Sequence, residues 1–461
     1  MPTTSTAAKA TAVSALPVWL WVILVLLTLY ILYAPLAELV CKLLGAGTLK
    51  RSAPTERVIA LTFDDGPDPR YTPKVLDILA QHDARATFFV VGERAVQHPD
   101  LIRRMVAEGH QVAPHAQRHV HAWLTGPVRS WRNVAEAKRT VESLTDRRVT
   151  QFRPPWGGFN WVQRFALARL GMTPVLWSVR AIDWHAGDHA AAIARRVTDG
   201  AHPGAIVLCH DAGGAEGAPL NTIRALPEIL AHLTRLNYTF VTVEEAAQIR
   251  RRRKEQARSI RAGYPWGRRL LIHLWSGIEY LFTTVHHVRD VNSVFRFGLV
   301  RWWLGERRDQ DGRLLVRDGA MALDIHFQND SVISFATENP RVLLRGLREA
   351  REGFHDIALT LMHDPRCRDV DVVFAITLIN KGMDMLGFHV EDLPPTFTNR
   401  FLKAYMSFLL GMHHPDGFAR LRRGAQPIDM KLMWMTREEL FERYGTLTPR
   451  RRGAEAAGPK G

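Results

Sequence analysis

Val58-Ile59-Ala60-Leu61-Thr62-Phe63-Asp64-Asp65-Gly66-Pro67 decides the fold: a short apolar strand that stops on two adjacent carboxylates and a Gly-Pro turn. Similar β-rich runs recur at Ala86 to Val91, Gln111 to Ala113, Thr150 to Arg153, Pro174 to Val179, Ala205 to Cys209 and Tyr238 to Val243. Between them lie helical patterns such as Pro73 to Gln81, Pro99 to Glu108, Val134 to Leu144 and Asn221 to Arg235. This alternation predicts parallel strands with crossover helices, as a barrel or an open doubly wound sheet. A barrel collects its reactive residues at the C-terminal ends of the strands.

Polar residues with chemical potential stand at those ends. Two neighbouring carboxylates raise one another's pKa unless a cation intervenes. A metal held by one, with the other free as a base, would relieve the pair; an ordinary Asp-Gly-Pro turn is the bland reading. His115 and His119 are four apart, a spacing that on a helical turn aligns both imidazoles for a metal. By itself that spacing is a modest signal in a chain with 20 histidines, and His110 and His121 are taken as bystanders. Arg153-Pro154-Pro155-Trp156-Gly157 pairs a guanidinium that could orient a carboxylate with a rigid turn that could offer a backbone N–H to an oxyanion. Asp183-Trp184 and Leu208-Cys209-His210-Asp211 follow later strands; an Asp close to His210 would raise its pKa and make it a general acid.

Taken together and in this order, the five segments resemble the polysaccharide deacetylases of carbohydrate esterase family 4. The resemblance covers roughly residues 57–247, and the TFDDGP and RPPWG segments carry most of its specificity. It implies a distorted (β/α)7 barrel that removes acetyl groups from N-acetylated glycans. It also implies a divalent metal, usually zinc, on Asp65, His115 and His119, with Asp64 as catalytic base and Arg153 orienting it. Trp156 would lend its N–H to the oxyanion, Asp183 would tune His210 as the acid, and Trp184 and Leu208 would line the acetyl pocket. Two positions depart from the family pattern. Ala116 stands where a hydroxyl is usual, and Arg180 where an acid that could partner Arg153 is expected.

The chain has 461 residues, enough for two or three domains, and a net charge of +15 that favours anionic surfaces without choosing among them. Cys41, Cys209 and Cys367 are too few and too scattered for a disulfide framework or a thiolate zinc site. The run Leu16 to Ala37 would extend about 33 Å as a helix, enough to cross a bilayer. We expect a retained single-pass anchor rather than a cleaved signal, with residues 1–45 forming a tail and span; since the catalytic domain begins about twenty residues beyond the span, a lipid-linked glycan is an expected substrate beside a polysaccharide or oligosaccharide. The catalytic domain, residues 52–250, is expected outside the cytoplasm, although Lys9 before the span and Lys42, Lys50 and Arg51 after it pull weakly the other way.

Residues 251–267, continuing the basic run from Arg250 to Lys254, are expected to be a linker that could touch anionic lipid. Residues 268–445 form a second α/β unit resembling the YkoP-like domain. Its polar clusters are Asp324-Ile325-His326 and His413-His414-Pro415-Asp416, which as surface groups need no function. Residues 446–461 are expected to be disordered. No aromatic platform accompanies the basic run, so nucleic acid is not an expected partner. The oligomeric state is open. The rival to an enzyme is a membrane-tethered module that binds glycan with little or no turnover.

Overall fold

The computed structural model describes residues 17–43, 47–54, 56–285, 288–292, 294–327, 340–378, 382–394, 396–413 and 430–446. The residues before Pro17, the tail beyond 446 and the His414-Pro415-Asp416 part of the second polar cluster lie outside these.

An apolar helix, α1 (Val18–Tyr33), runs into α2 (Pro35–Leu43) with a break at Ala34. The first α/β unit then follows as β1 (Val58–Asp64), α3 (Thr72–Gln81), β2 (Ala86–Val90), α4 (Gly92–Gln97), α5 (Pro99–Ala107) and β3 (Gln111–Pro114). It continues with α6 (Pro127–Thr145), β4 (Gln151–Phe152), α7 (Trp161–Arg169), β5 (Thr173–Pro174), β6 (Val179–Arg180), α8 (Ala190–Gly200), β7 (Ala205–His210), α9 (Ala218–Arg235) and β8 (Thr239–Phe240). The strands are parallel in the order β3-β2-β1-β7-β6, with β8 beside the start of β1. All seven residues of β1 are buried, which is why it reads as a continuous apolar run rather than an alternating one.

Regular pairing lapses elsewhere. β4 pairs only with β5, and single bonds carry the backbone onward from that pair: Arg153 N–H to the Pro114 carbonyl at 3.1 Å, and Ser178 N–H to the Ile206 carbonyl at 3.0 Å. The single strand expected from Pro174 to Val179 is two short ones, because Leu49 inserts beside Val175 and takes the ladder there.

A helix, α10 (Val243–Ala262), leads out of this unit and contains the whole basic run. The linker expected over 251–267 is therefore mostly helical. Thr242 and Glu245 form a reciprocal capping box, and no helix breaker follows before Gly263. Arg253 pairs with Glu56 at 2.6 Å, so part of the run's charge is spent inside the protein.

The second unit begins with α11 (Trp266–Val285) and builds a separate sheet. Its elements are β9 (Arg289–Asp290), β10 (Phe295–Arg301), β11 (Arg307–Arg308), β12 (Leu314–Val316), β13 (Met321–Phe327), α12 (Pro340–His363), β14 (Val370–Thr377), β15 (His389–Asp392), α13 (Phe397–His413), β16 (Lys431–Thr436) and α14 (Arg437–Tyr444). The order is β15-β16-β14-β13-β10-β9, mostly antiparallel, with β11 and β12 as a separate hairpin. Asp324 and His326 share a face of β13, 3.4 Å apart. All three cysteines are free and buried.

Candidate active site

The register of β1 against β7 sets Asp64 directly beside His210 and Thr62 beside Leu208. Asp64 is buried, and its Oδ1 accepts from Arg153 Nη1 at 2.7 Å. Arg153 is fully buried; it also donates to Thr62 Oγ1 at 2.6 Å and lies 4.1 Å over the Phe89 ring. Burial pulls its pKa down, and the Asp64 carboxylate works against that pull.

Asp64 Oδ2 lies 3.8 Å from His115 Nε2, and Asp65, immediately after β1, takes a left-handed φ of +73°. Its carbonyl is pinned by Arg94 Nη1 at 2.7 Å. Its Oδ1 lies 3.4 Å from His115 Nε2 and 3.0 Å from His119 Nε2. Burial alone would raise the Asp65 pKa; where the Nε2 atoms of His115 and His119 carry protons, their hydrogen bonds and charge reverse this and hold the carboxyl well below its usual range.

The two histidines are not on a helical turn, as their spacing suggested. They sit on the loop after β3, where Ala116 adopts φ +70° and its carbonyl accepts the Gly92 N–H at 2.9 Å. The left-handed residue, rather than a 3.6-residue repeat, brings both rings round. His115 Nδ1–H donates to the Arg153 carbonyl at 2.8 Å, which leaves the Nε2 lone pair facing Asp65.

One atom from each of Asp65, His115 and His119 falls within 4.8 Å of the others. Asp65 Oδ1 is buried yet receives no hydrogen bond. A buried acceptor without a donor is costly, and two bare or nearly bare nitrogens beside it make the trio fit for a divalent cation. Gly213 closes over this point at φ +71°, where a Cβ would meet Asp65 Oδ2 at 2.4 Å.

Opposite stands the second charge pair. Asp183 is buried; its Oδ1 accepts from His210 Nδ1–H at 2.7 Å, and its Oδ2 accepts from the His210 backbone N–H at 2.8 Å and the Thr222 hydroxyl at 2.7 Å. Burial acts to lower the His210 pKa, but the charge and hydrogen bond of Asp183 prevail and push it up to about 9. Trp184 meets the His210 ring edge-on at 5.7 Å between centroids, and Leu208 is buried beside Thr62.

Trp156, at φ +54°, presents an exposed ring against His119 at 4.2 Å, and among the described residues its N–H donates to no backbone acceptor. Arg180 is exposed and among the described residues has no ion-pair partner, while Arg153 already has its acid in Asp64. The charge reversal at Arg180 therefore does not leave Arg153 unpaired.

Thr62, Thr222, Arg94 and Asp211 were not anticipated. Asp211, fully buried beneath Gly66, has its pKa raised to about 7 by burial despite a hydrogen bond from Thr72. Its place directly after His210 was the available signal; Thr222 and Arg94 gave none.

A sequence profile for polysaccharide deacetylases matches residues 51–175, and one for the YkoP domain matches residues 268–444. A chitooligosaccharide deacetylase of Sinorhizobium fredii is 41% identical over 165 residues, 36% of this chain and 76% of its own length. A solved structure of a peptidoglycan deacetylase from Bacillus subtilis is 31% identical, covering 46% of this chain and 99% of that one with a TM-score of 0.40. A peptidoglycan-N-acetylglucosamine deacetylase of Bacillus cereus is 37% identical over 196 residues, 41% of this chain and 88% of its own length. With that relative matched along nearly its whole length, the chain belongs to the polysaccharide deacetylase family.

Proposed function

We propose that the chain is a metal-dependent hydrolase that removes N-acetyl groups from the amino sugars of a glycan, releasing acetate. One observation carries this reading: a buried carboxylate oxygen without a hydrogen bond faces two imidazoles, with an arginine-held acid on one side and an aspartate-held histidine on the other. The named activities of the relatives, on peptidoglycan N-acetylglucosamine and chitooligosaccharide, support an amino-sugar acetamide as the target. The scaffold is taken as a distorted (β/α)7 barrel spanning 52–250, with 268–445 as a second unit.

Asp65, His115 and His119 would hold the ion, and their nitrogen and oxygen donors suit zinc. When bound, such an ion acidifies water and polarises an acetamide carbonyl. Asp64 would serve as the base through Oδ2, since Arg153 occupies Oδ1. The Trp156 N–H is available to the developing oxyanion. His210, gripped through Nδ1 by Asp183, delivers a proton from Nε2 to the departing amine. Trp184 and Leu208 flank the acetyl methyl.

The helix α1 is read as a retained single-pass anchor with the catalytic unit outside the cytoplasm. Its apolar side chains are exposed along its length, unlike a core helix. The binding-module alternative rests on Arg180 and on the second unit, and is opposed by the retained Asp64 and His210; Arg180 faces solvent and leaves that acid and base in place. To test the function, the full chain in detergent is loaded with zinc and offered chitooligosaccharides and peptidoglycan fragments. Acetate should be released, and a chelator should stop it; no acetate from any of them would end the deacetylase reading.

A further inference from the structure

We propose that the rim of the catalytic unit around Tyr33 is seated in the surface of a lipid bilayer, so that the cleft beside it acts on sugars carried by membrane lipid. The proposal takes α1 as a bilayer-crossing helix, and its statement about substrate rests on the deacetylase reading above.

No slack separates the span from the catalytic unit, although the sequence suggested some twenty intervening residues. Trp161 Nε1 donates to the Leu32 carbonyl at 2.8 Å, and the Tyr33 hydroxyl donates to the Thr125 carbonyl at 3.0 Å. Immediately beyond, Ala34, Ala37 and Cys41 are buried. Of the run expected to cross, Leu16 to Ala37, Ala34 and Ala37 are buried in the protein, and α1 alone extends roughly 24 Å at 1.5 Å per residue, less than the ~30 Å hydrocarbon layer. A helix of that length clamped at Leu32 draws the rim to the lipid–water interface instead of letting it stand off.

The rim carries the surface that such a position requires. Leu124 is 77% exposed, Val128 64% and Phe165 58%. Leu124 directly precedes the residue bonded to Tyr33, Val128 opens α6 three residues on, and Phe165 lies one turn from Trp161 on the same face of α7. Leu36 and Leu39 of α2 are exposed. Arg129, next to Val128 in α6, and Arg132, one turn beyond Val128, are exposed, the charge that anionic headgroups attract. Single exposed apolar side chains are ordinary. These instead surround the exit point of a bare apolar helix, and Trp161 at that exit is a residue type favoured at bilayer interfaces.

From the rim to the cleft is a single side chain. A Cβ on Gly158 would lie 2.9 Å from His121 Nε2 and 3.5 Å from Glu38 Oε2, so α2 and His121 meet there. His121 is 5.5 Å from the Trp156 ring, which in turn contacts His119. The histidine taken as a bystander thus joins the anchor to the loop of the candidate metal site. A cleft at this height meets sugars at headgroup level, which selects lipid-borne glycans over free polymer.

The test uses the full chain in nanodiscs of phosphatidylcholine and phosphatidylglycerol, with an environment-sensitive dye on Leu124→Cys, Phe165→Cys or, in the second unit, Met385→Cys. Spin-labelled lipid should quench the dye at 124 and 165 and spare it at 385; sparing at all three would overturn the seating. A dye on Val128→Cys should be quenched likewise, and adding the double change Leu124→Glu, Phe165→Glu should abolish that quenching. The double variant should also release acetate from a lipid-linked N-acetylated disaccharide about tenfold more slowly, the scale of one apolar side chain's burial. Its turnover of soluble chitooligosaccharide should be unchanged. Equal effects on both substrates would overturn the substrate assignment. If the parent acts on neither, the deacetylase reading fails, while the quenching still decides the seating.

Discussion

Asp64→Asn tests the buried charge pair and the proposed base in one substitution. The carboxylate and Arg153 are 2.7 Å apart, with both side chains almost wholly withdrawn from water. Breaking such a pair by neutralising one member costs about 3–5 kcal/mol, because the other charge stays buried without compensation. Asparagine keeps an acceptor for Nη1, and the Phe89 ring still faces the guanidinium, so the lower end, about 3 kcal/mol, applies here. For a unit of this size that corresponds to a melting temperature lower by about 6–12 °C. Arg153→Met should cost a similar amount. The double variant should fall by about as much as either single change, since the unpaired partner has gone. Thermal melts followed by circular dichroism on the full chain in detergent give the three values. Acetate release by Asp64→Asn should drop at least about a hundredfold while bound metal, measured by mass spectrometry, stays the same. A variant that melts with the parent, or a double variant that loses the sum of the singles, would refute the pairing; undiminished acetate release would refute the base.

Removing metal by chelation should lower the melting temperature, by the equivalent of about 2.7 kcal/mol if the free ion had stood at a hundred times its dissociation constant. His115→Ala should show no such response. Gly213→Ala should weaken metal binding, because its methyl would displace the Asp65 carboxylate; calorimetric titration with zinc measures this, and an unchanged affinity would contradict the close approach. In metal-free protein the His210–Asp183 pair raises the imidazole pKa from 6.5 to about 9. Its contribution to stability is therefore complete below pH 6.5 and is lost as the pH climbs through about 9. Asp183→Asn should flatten stability over that interval in denaturant titrations at a series of pH values.

Much of the first unit was legible because its strands are buried on both faces and so appear as short apolar runs. β1, β2 and β7 stand within a residue of their expected limits. The failures have physical causes. β4, β5, β6 and β8 have only two residues each, too short for periodicity to mark, and the gap between β5 and β6 falls where Leu49, from a distant part of the chain, pairs with Val175. The helical reading of His115 and His119 failed because a left-handed alanine leaves no trace in residue type. Thr222, whose hydroxyl holds Asp183, lies 39 residues further along the chain, beyond the reach of local patterns. The helical form of the basic run was not legible, since charge density suggests solvent but does not forbid a capped helix.

The ladder between β1 and β7 has a consequence for how this chemistry can diversify. The groups proposed to take and return the proton are neighbours in one backbone register, Asp64 opposite His210, at the tip of the most deeply packed strands. A one-residue slip between the two strands would swing one of them to the wrong side of the sheet, and the core would resist it as strongly as it resists unfolding. Loops around the mouth can therefore lengthen, shorten or change specificity while the spacing of acid and base is inherited intact from the hydrophobic interior.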